Sequence, residues 1–490
     1  GPFATADFAA RYALPQARAQ AVLAGAAAGG ALIEGEFTPG GTRREWCDPD
    51  ALTSIRQRSL AKLRRQVEPV EPAALGRLIT RWQGVVTPRR GLDALLDSVE
   101  HLQGAALAAS LLETAILPSR VLGYSPADLD TLIAAGEVVW TGVEPLGDRD
   151  GRVALFLADQ IDRLWIAREA SARGRALDPK DARILEYLGS EGASFFTPMH
   201  DAAGGGYPRD TLDALWSLVW MGLVTNDSMH ALRAFLAGVT PSGRASKASR
   251  ASAGRAAFRS RRMSPPAGAG RWSLVADRLS GAAKPTERSA ALAQQLLQRY
   301  GVITRDVAAA EGIPGGFSAV YEVLRAMEDA GRIRRGYFVA GVAATQFAMP
   351  SALDTLRSLK IDPEQPEIVR LAAADPANPY GTLLKWPGER SDPGRGPTRT
   401  VGSLVVLVNG EAAAWIGRGR QILAWLPEDE PQRSVTGRAI AAQLGALGLL
   451  VTEISGVPAA SHPLARYLPE AGYIASPMGY QMGRAERLAR

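Results

Sequence analysis

One local pattern constrains the fold of this chain more than any other: an amphipathic helix that ends at a glycine and continues into a strand. In FSAVYEVLRAMEDAG the apolar residues recur at helical spacing, and Gly331 stands where a helix C-cap belongs. The next residues, RIRRGYFVA, alternate and are rich in β-formers, and TQFAM can return as a second strand after Ala340 and Gly341. Two shorter helical patterns precede this stretch. The order helix, helix, helix, hairpin predicts a winged helix.

The same pattern occurs five times, at unequal spacing. A single helix–glycine–strand junction is common, but five in one chain favour repeated modules. The other copies reach their glycine at Gly30, Gly136, Gly222 and Gly472. We therefore predict an α+β fold with a tandem array of about five winged-helix modules. The predicted ranges are 1–68 for module 1 with a linking helix, 69–170 for module 2, 171–276 for module 3, 277–352 for module 4 and 431–490 for module 5.

The third copy lacks an immediate returning strand. After LVTND the chain passes through a Ser/Ala/Gly/Arg-rich insertion before RWSLV at 271–275, which we predict to be the delayed second strand. Such a composition cannot bury a core of its own. The insertion is therefore predicted to be an enlarged wing of module 3, and the alternative is a solvated tether.

Positive charge is concentrated in this insertion. Between Asp227 and Asp277 there are nine basic residues and no acidic one, so subtracting nine from the net charge of +6 leaves −3 for the rest of the chain. Such a cluster of positive charge without acidic residues is what an element that binds phosphates would need. The residues predicted to contact DNA here are Arg244, Lys247, Arg250, Arg255, Arg259, Arg261 and Arg262.

A second candidate DNA contact lies on the first wing strand of module 4. Arg332, Arg334 and Arg335 cluster there beside Tyr337, so the arginines could bind phosphates while the ring stacks on an unpaired base. The alternative is that Tyr337 and Phe338 pack the wing onto the module core and the arginines are only solvated.

Residues 353–430 have a different pattern. RTVGSLVVLVNGEAAAWIGRGRQILAW alternates around Asn409-Gly410 and again around 417–419, which predicts a three-stranded antiparallel meander in a small sheet or barrel. The preceding AADPANPYG is predicted to be a loop packed across the modules. Asp375 in this loop is a candidate base or electrostatic stabiliser for glycosidic bond cleavage, although Asp-Pro is more often a turn.

Other chemistry finds little support in the sequence. None of the lysines follows a glycine, so there is no ATP-binding phosphate loop, and the four histidines have no metal-ligand spacing. Cys47 is the single cysteine, which excludes a disulfide framework. We expect no cofactor or metal in this chain, no membrane span or signal peptide, and a cytoplasmic, nucleoid-associated protein. The start without Met suggests a fragment of a longer protein.

Several stretches together resemble the C-terminal region of bacterial Lhr proteins, the long helicase-related family. They are EGEFTPGGTRREWC, RWQGV, GEVVWTG, GRIRRGYFVAGVAATQFAMP and AADPANPYG. The resemblance implies winged-helix modules behind an N-terminal superfamily 2 helicase motor that binds ATP and Mg²⁺ and acts in DNA repair. It also implies single-stranded or forked DNA as partner, contact with that motor, and a homo-oligomer, with a tetramer favoured.

Two functions therefore compete. The chain is either a DNA-binding and oligomerising region of a helicase, or a DNA glycosylase-like module attached to one, since winged-helix DNA glycosylases are a more distant similarity. The apolar helix face in LDALWSLVWMGLV is a further reason to expect self-association, because exposed faces of this kind need a partner surface. Its large residues are Leu215, Trp216, Leu218 and Trp220.

Overall fold

The structure is a computed structural model. It describes residues 1–38, 43–65, 68–165, 177–238, 264–279, 281, 283–343, 345–388 and 396–483. Among these, no helix is both long and apolar enough to cross a membrane.

Residues 3–47 form a small unit of two helices and a three-stranded antiparallel sheet with the order β1-β3-β2. The elements are β1 (Phe3–Ala4), α1 (Thr5–Arg11), α2 (Gln16–Ala28), β2 (Ile33–Gly35) and β3 (Glu45–Cys47). A longer helix, α3 (Pro49–Arg65), follows. The predicted strands EGEF and RREWC of module 1 therefore pair with each other.

Module 2 contains the predicted helix, glycine and two-stranded wing. Its elements are α4 (Pro72–Trp82), α5 (Leu92–Leu102), β4 (Leu107–Ala108), α6 (Ala109–Leu111), a π-helix (Leu112–Ile116), α7 (Pro126–Ala134), β5 (Val138–Pro145) and β6 (Gly151–Leu157). The sheet order is β4-β6-β5. Gly136 adopts φ 79° directly after α7, which is the left-handed conformation that a C-cap glycine provides.

Module 3 confirms the delayed strand. A short helix, α8 (Ile161–Leu164), still lies in the range predicted for module 2. The elements that follow are α9 (Pro179–Glu191), α10 (Phe196–Ala202), α11 (Pro208–Trp220), β7 (Val224–Asn226), α12 (His230–Leu236), a 3-10 helix (Pro266–Gly268), β8 (Trp272–Leu274) and a second 3-10 helix (Val275–Arg278). β7 pairs antiparallel with β8, so RWSLV returns to the strand that the insertion interrupts. Helix α12, at the start of the insertion, was not predicted.

Module 4 has the predicted order of three helices and a hairpin. The elements are α13 (Pro285–Tyr300), β9 (Val302–Ile303), α14 (Arg305–Ala310), α15 (Ser318–Asp329), β10 (Arg334–Gly336) and β11 (Gln346–Ala348), followed by α16 (Pro350–Ser358). The sheet order is β10-β11-β9, so β9 between the helices adds a third strand to the wing hairpin.

The predicted meander is present and has a fourth strand. The strands are β12 (Ile368–Ala372), β13 (Leu404–Val408), β14 (Glu411–Ile416) and β15 (Ile422–Ala424). They pair antiparallel in the order β12-β13-β14-β15, and no closing pair between β12 and β15 occurs in the described part of the chain. The element is therefore an open sheet, and the barrel alternative is wrong. Asn409 and Gly410 both have positive φ, as a tight hairpin turn requires.

The last segment differs from a winged helix. It consists of α17 (Glu430–Ala446), β16 (Glu453–Ile454), β17 (Val457–Pro458), three 3-10 helices (Ala459–Ser461, Pro463–Tyr467, Pro469–Ala471), β18 (Tyr473–Ser476) and β19 (Gly479–Met482). The predicted hairpin after Gly472 is present. Within residues 430–483, however, one α-helix precedes it where a winged helix has three. A fifth winged-helix module, and hence an array of five, is not confirmed.

Packing joins the modules out of chain order. Modules 2 and 3 share one apolar core, which includes Leu155 of β6 and Trp272 of β8. Helix α4 instead packs with module 4 and with one face of the four-stranded sheet. The other face of that sheet packs on α17. The sheet thus joins the middle of the chain to its end, as alternate residues of β13 point to opposite faces.

The apolar face of α11 lies inside the chain's own core. Leu215 and Leu218 are fully buried, and Trp216 and Trp220 nearly so. Strand β5 covers this helix so closely that a Cβ on Gly142 would lie under 3.0 Å from the Val219 backbone. The expectation that this face needs a second copy of the chain is therefore wrong, because β5 of module 2 and aromatic residues of module 3 already cover it.

Candidate nucleic-acid interface

The wing of module 4 presents two solvent-exposed arginines. Arg332 lies in the turn after α15, and Arg334 begins β10, where it pairs with Ala348 of β11. Both side chains are exposed, and neither has a carboxylate partner within ion-pair distance in the described residues. Arg334 lies in the wing sheet and Arg332 directly precedes it, so the two side chains extend from the start of the wing.

The other two predicted contacts on this wing are partly used within the module. The Arg335 guanidinium carbon lies 6.0 Å from the centre of the Tyr321 ring and 5.8 Å from that of Phe347. The Tyr337 hydroxyl accepts a hydrogen bond from the Gly341 amide at 2.7 Å, and its side chain is 40% exposed. Phe338, rather than Tyr337, is the residue that packs into the core. The ring of Tyr337 thus stays partly exposed on the wing.

A residue far away in sequence holds this wing in place. The Val70 amide donates to the Phe338 carbonyl at 2.8 Å, and the Ala340 amide donates to the Val70 carbonyl at 2.9 Å. The segment before α4 therefore extends the wing as a short parallel bridge. Sequence reasoning missed this contact, because an isolated bridge has no periodicity.

Basic residues are scarce on the helices that precede the wings. In a winged helix this helix would enter a DNA groove. Helix α7 contains no lysine or arginine, and its Asp128 and Asp130 lie towards the surface. On α15 the exposed Arg325 lies between Glu322 and Asp329, and it pairs with Glu322 at 3.9 Å. On module 4, positive charge is thus better placed on the wing than on α15.

The start of the basic insertion is anchored to module 2. Arg233 on α12 pairs with Glu113 at 2.7 Å and with Asp130 at 2.6 Å, and Glu113 also accepts from the Tyr124 hydroxyl. Burial and the hydrogen bond to Glu113 raise the pKa of Tyr124. Arg233 is therefore neutralised internally and does not contribute to a phosphate site.

The insertion rejoins the fold at α10 and β8. The Thr197 and Ser264 hydroxyls lie 3.2 Å apart, and the Arg271 amide donates to the Asp227 carboxylate at 2.9 Å. The insertion is thus fixed to module 2 at its start and to module 3 at its end. The seven predicted DNA contacts of the insertion lie outside the described residues. They are Arg244, Lys247, Arg250, Arg255, Arg259, Arg261 and Arg262.

Asp375 is buried in an ion pair between modules. Its carboxylate accepts from both terminal nitrogens of Arg120, at 2.7 and 3.0 Å, and both side chains are 1% exposed. Oδ1 also accepts from the Ala377 amide, and the Arg120 guanidinium donates to Gln83 at 2.6 Å. The loop AADPANPYG is thus held against the end of α4 and the loop after the π-helix. We interpret Asp375 as a residue that joins modules.

Two further buried arginines also join segments that are distant in the sequence. Arg77 on α4 donates to Asp362 at 2.6 Å and to the carbonyls of Asn409 and Leu359. Arg299 on α13 pairs with Glu311 at 2.5 Å and donates to backbone carbonyls at the end of α5. Sequence reasoning missed both, because arginine is usually a surface residue and nothing in the local pattern marks it as buried.

No metal site accompanies these groups. In the parts of the chain that the structure describes, no three His, Cys, Asp or Glu side chains come together as ligands. Cys47 is buried and forms no disulfide.

Comparison with known proteins agrees with this architecture. Two family models, each described as a winged-helix domain of large helicase-related proteins, match residues 70–158 and 282–368. The chain belongs to the large helicase-related family. A Mycolicibacterium smegmatis relative named "Lhr helicase/ probable uracil glycosylase" is 41% identical over 477 residues, which are 93% of this chain and 31% of the relative. An Escherichia coli relative named "Lhr helicase/uracil glycosylase" is 34% identical over 89% of this chain and 30% of its own length. The chain thus spans about a third of each relative.

Proposed function

We propose that this chain is the DNA-binding region of an ATP-dependent helicase acting in DNA repair. The observation that carries the proposal is the pair of winged-helix domains, one of which carries Arg332 and Arg334 exposed at its wing, without a carboxylate partner in the described residues. In this proposal the motor lies in the same polypeptide, where it binds ATP and Mg²⁺, and the protein works at the nucleoid in the cytoplasm.

The charge distribution favours contact with the DNA backbone over reading of bases. Phosphate contacts fix position without sequence information, whereas base edges are read from the grooves. Helices α7 and α15 carry one arginine between them, while the wing of module 4 and the insertion are basic. We therefore expect binding with little sequence preference and a steep dependence on salt, through release of counterions.

The test is a salt titration of DNA binding. The seven basic residues from Arg244 to Arg262 are replaced together by glutamine, which keeps the length of the insertion. Binding of forked and single-stranded DNA is followed by fluorescence anisotropy. Each phosphate contact contributes roughly 0.7 to 0.9 to the slope of log affinity against log salt, so the slope should become shallower by several units. Unchanged affinity and slope would show that the insertion is a tether rather than a DNA-binding wing.

Self-association is part of the proposal, with a tetramer as the favoured state. The buried face of α11 no longer supports it, so it rests on the family resemblance alone. Light scattering of the isolated chain at rising concentration measures its mass and so tests self-association. A monomeric mass throughout would reject it.

A second candidate function is removal of uracil from DNA, because the names of both relatives include uracil glycosylase. This activity would cleave the bond between base and sugar. Strand breakage by alkali after incubation with uracil-containing DNA measures it directly. Asp375→Asn separates two roles: loss of uracil release with unchanged stability would make Asp375 catalytic, whereas loss of stability fits its ion pair with Arg120.

A further inference from the structure

A cavity lies where modules 2, 3 and 4 meet. It encloses about 100 Å³, while a single water needs roughly 10–15 Å³ by a comparable measure, so it has room for a small planar ring. Gly104, Gly312 and Pro314 line it and are solvent-exposed, so they mark its mouth. Its location, at a junction of several modules, is where ligand sites are often found.

Two aromatic residues form part of the cavity wall. A Cβ on Gly104 at the mouth would lie 3.5 Å from the Phe156 ring, so this ring lies directly below the entrance. Trp165 lines the cavity near Gly222 of module 3, with its Nε1 3.9 Å from the equivalent Cβ position. Both rings offer surface on which another flat ring can pack.

Two buried carboxamides in this cavity have hydrogen-bonding capacity left over. Gln103 is 2% exposed, and its Nε2 makes contacts at 3.5 Å only, to the Glu100 carbonyl and to Gln295 Oε1. Gln295 is 5% exposed, and its Oε1 has that one long contact, because its Nε2 is used by carbonyls of α5. The cavity thus presents an amide donor beside an amide acceptor. Buried polar groups normally have closer partners than these.

The charged groups in the same wall are already paired. Arg299 and Glu311 bind each other at 2.5 Å, and the Tyr300 hydroxyl donates to the second Glu311 oxygen at 2.5 Å. Burial first, and then the neighbouring Glu311, raise the pKa of Tyr300, so this hydroxyl keeps its proton. The cavity therefore suits a neutral ligand better than an ion.

We propose that this cavity receives the base of an unpaired nucleotide. A nucleobase is neutral and flat, and its Watson–Crick edge places a donor next to an acceptor, which is the complement of Gln103 Nε2 and Gln295 Oε1. Enzymes that act on extruded bases read them in this way, by hydrogen bonds to that edge and by stacking. Single-stranded DNA supplies such bases at low cost, since no pair has to be opened. The inference rests on the proposed DNA binding and adds its base-contacting site.

The experiment uses the whole chain and two short ligands. One is a DNA backbone made entirely of tetrahydrofuran spacers, without bases, and the other carries a single central uracil on the same backbone. One stacked base is worth roughly 1–3 kcal/mol in comparable proteins, so the uracil ligand should bind roughly tenfold tighter. Both ligands have the same phosphate backbone, so the contacts of the wing arginines with phosphates are the same for both.

Two variants localise that difference. Ala106 lines the cavity, so Ala106→Leu fills it and should reduce the tenfold ratio to about one without weakening the spacer ligand. Ala134→Leu, on the exposed end of α7, is the matched control and should keep the ratio. As a measurement independent of any variant, 5-iodouracil in the same ligand should crosslink to a peptide that contains Phe156 or Trp165.

The outcomes separate this inference from the proposed function. If neither ligand binds, DNA binding itself fails. If both bind equally, or if Ala106→Leu folds and keeps the ratio, or if the crosslink maps elsewhere, the cavity is not the base site although DNA binding stands.

Discussion

Gly76 in α4 and Gly410 in the turn between β13 and β14 lie backbone against backbone. A Cβ on Gly76 would lie under 3.0 Å from the Gly410 carbonyl oxygen, and one on Gly410 would be as close to the Ala73 carbonyl. Separations this short do not occur for real Cβ atoms. The two glycines therefore allow the four-stranded sheet to pack directly on α4, and Arg77 fastens the contact by donating to the Asn409 carbonyl at 2.9 Å.

Gly76→Ala tests this contact. The added methyl group meets backbone atoms that cannot rotate away, so we expect a loss of about 1–3 kcal/mol in the free energy of unfolding, measured by urea denaturation. Gly189→Ala in α9 is the matched control, because its Cβ would meet nothing closer than 3.9 Å. In that helix interior alanine should be neutral or stabilise by up to about 1 kcal/mol. Equal effects of the two substitutions would contradict the close approach.

The ion pair of Arg120 and Asp375 gives a second prediction. Asp375→Asn keeps the shape of the side chain but leaves the Arg120 guanidinium buried without a countercharge. Removing one partner of a buried pair typically costs about 3–5 kcal/mol, so the urea midpoint should fall clearly. Arg209→Ala breaks the exposed pair with Asp213, whose side chains are 80% and 71% exposed. That control should change stability by roughly 0.5 kcal/mol or less.

The wing of module 4 gives a third prediction. Arg332→Gln combined with Arg334→Gln removes two free charges without touching the core, so stability should not change. If both side chains bind phosphates, the slope of log affinity against log salt should become shallower by roughly 1.4 to 1.8 units. Arg325→Gln, on the mixed-charge face of α15, is the control and should leave the slope alone. Identical slopes for the double variant and the wild type would mean that these arginines are only solvated.

Much of the local structure could be predicted, because it depends on neighbouring residues. The glycines that end helices, such as Gly136 and Gly331, have positive φ in the structure. The pairing of RWSLV with β7 across the insertion was also predictable, because the third copy of the repeat lacked a strand. The turn at Asn409-Gly410 follows from the residue types alone.

What could not be predicted depends on contacts between distant segments. The sequence pattern of the apolar face of α11 is the same whether a second copy of the chain or another part of this chain covers it. Its burial under β5 therefore depends on tertiary packing and could not be read from the pattern. Arg120 and Asp375 are 255 residues apart, and an arginine in a short loop has no signal that it is buried. The end of the chain contains the expected glycine and hairpin. The helix before them, α17, packs on the four-stranded sheet and not on further helices of a winged helix.

Glu411 at the start of β14 gives the last prediction. Partial burial raises the pKa of its carboxyl group, and the nearby Asp362 raises it further, against the effect of Arg77. A folded-state pKa above the unfolded value of roughly 4.3 means that the folded protein binds this proton more tightly. Its contribution to stability is therefore complete below about pH 4 and is lost as the pH rises through the folded-state pKa.

Glu411→Gln mimics the protonated form, so its Tm should equal that of the wild type near pH 4 and exceed it near pH 7. Glu186→Gln on the exposed face of α9 is the control. A Glu411→Gln variant that is less stable at neutral pH would show that the ionised carboxylate is the favoured form.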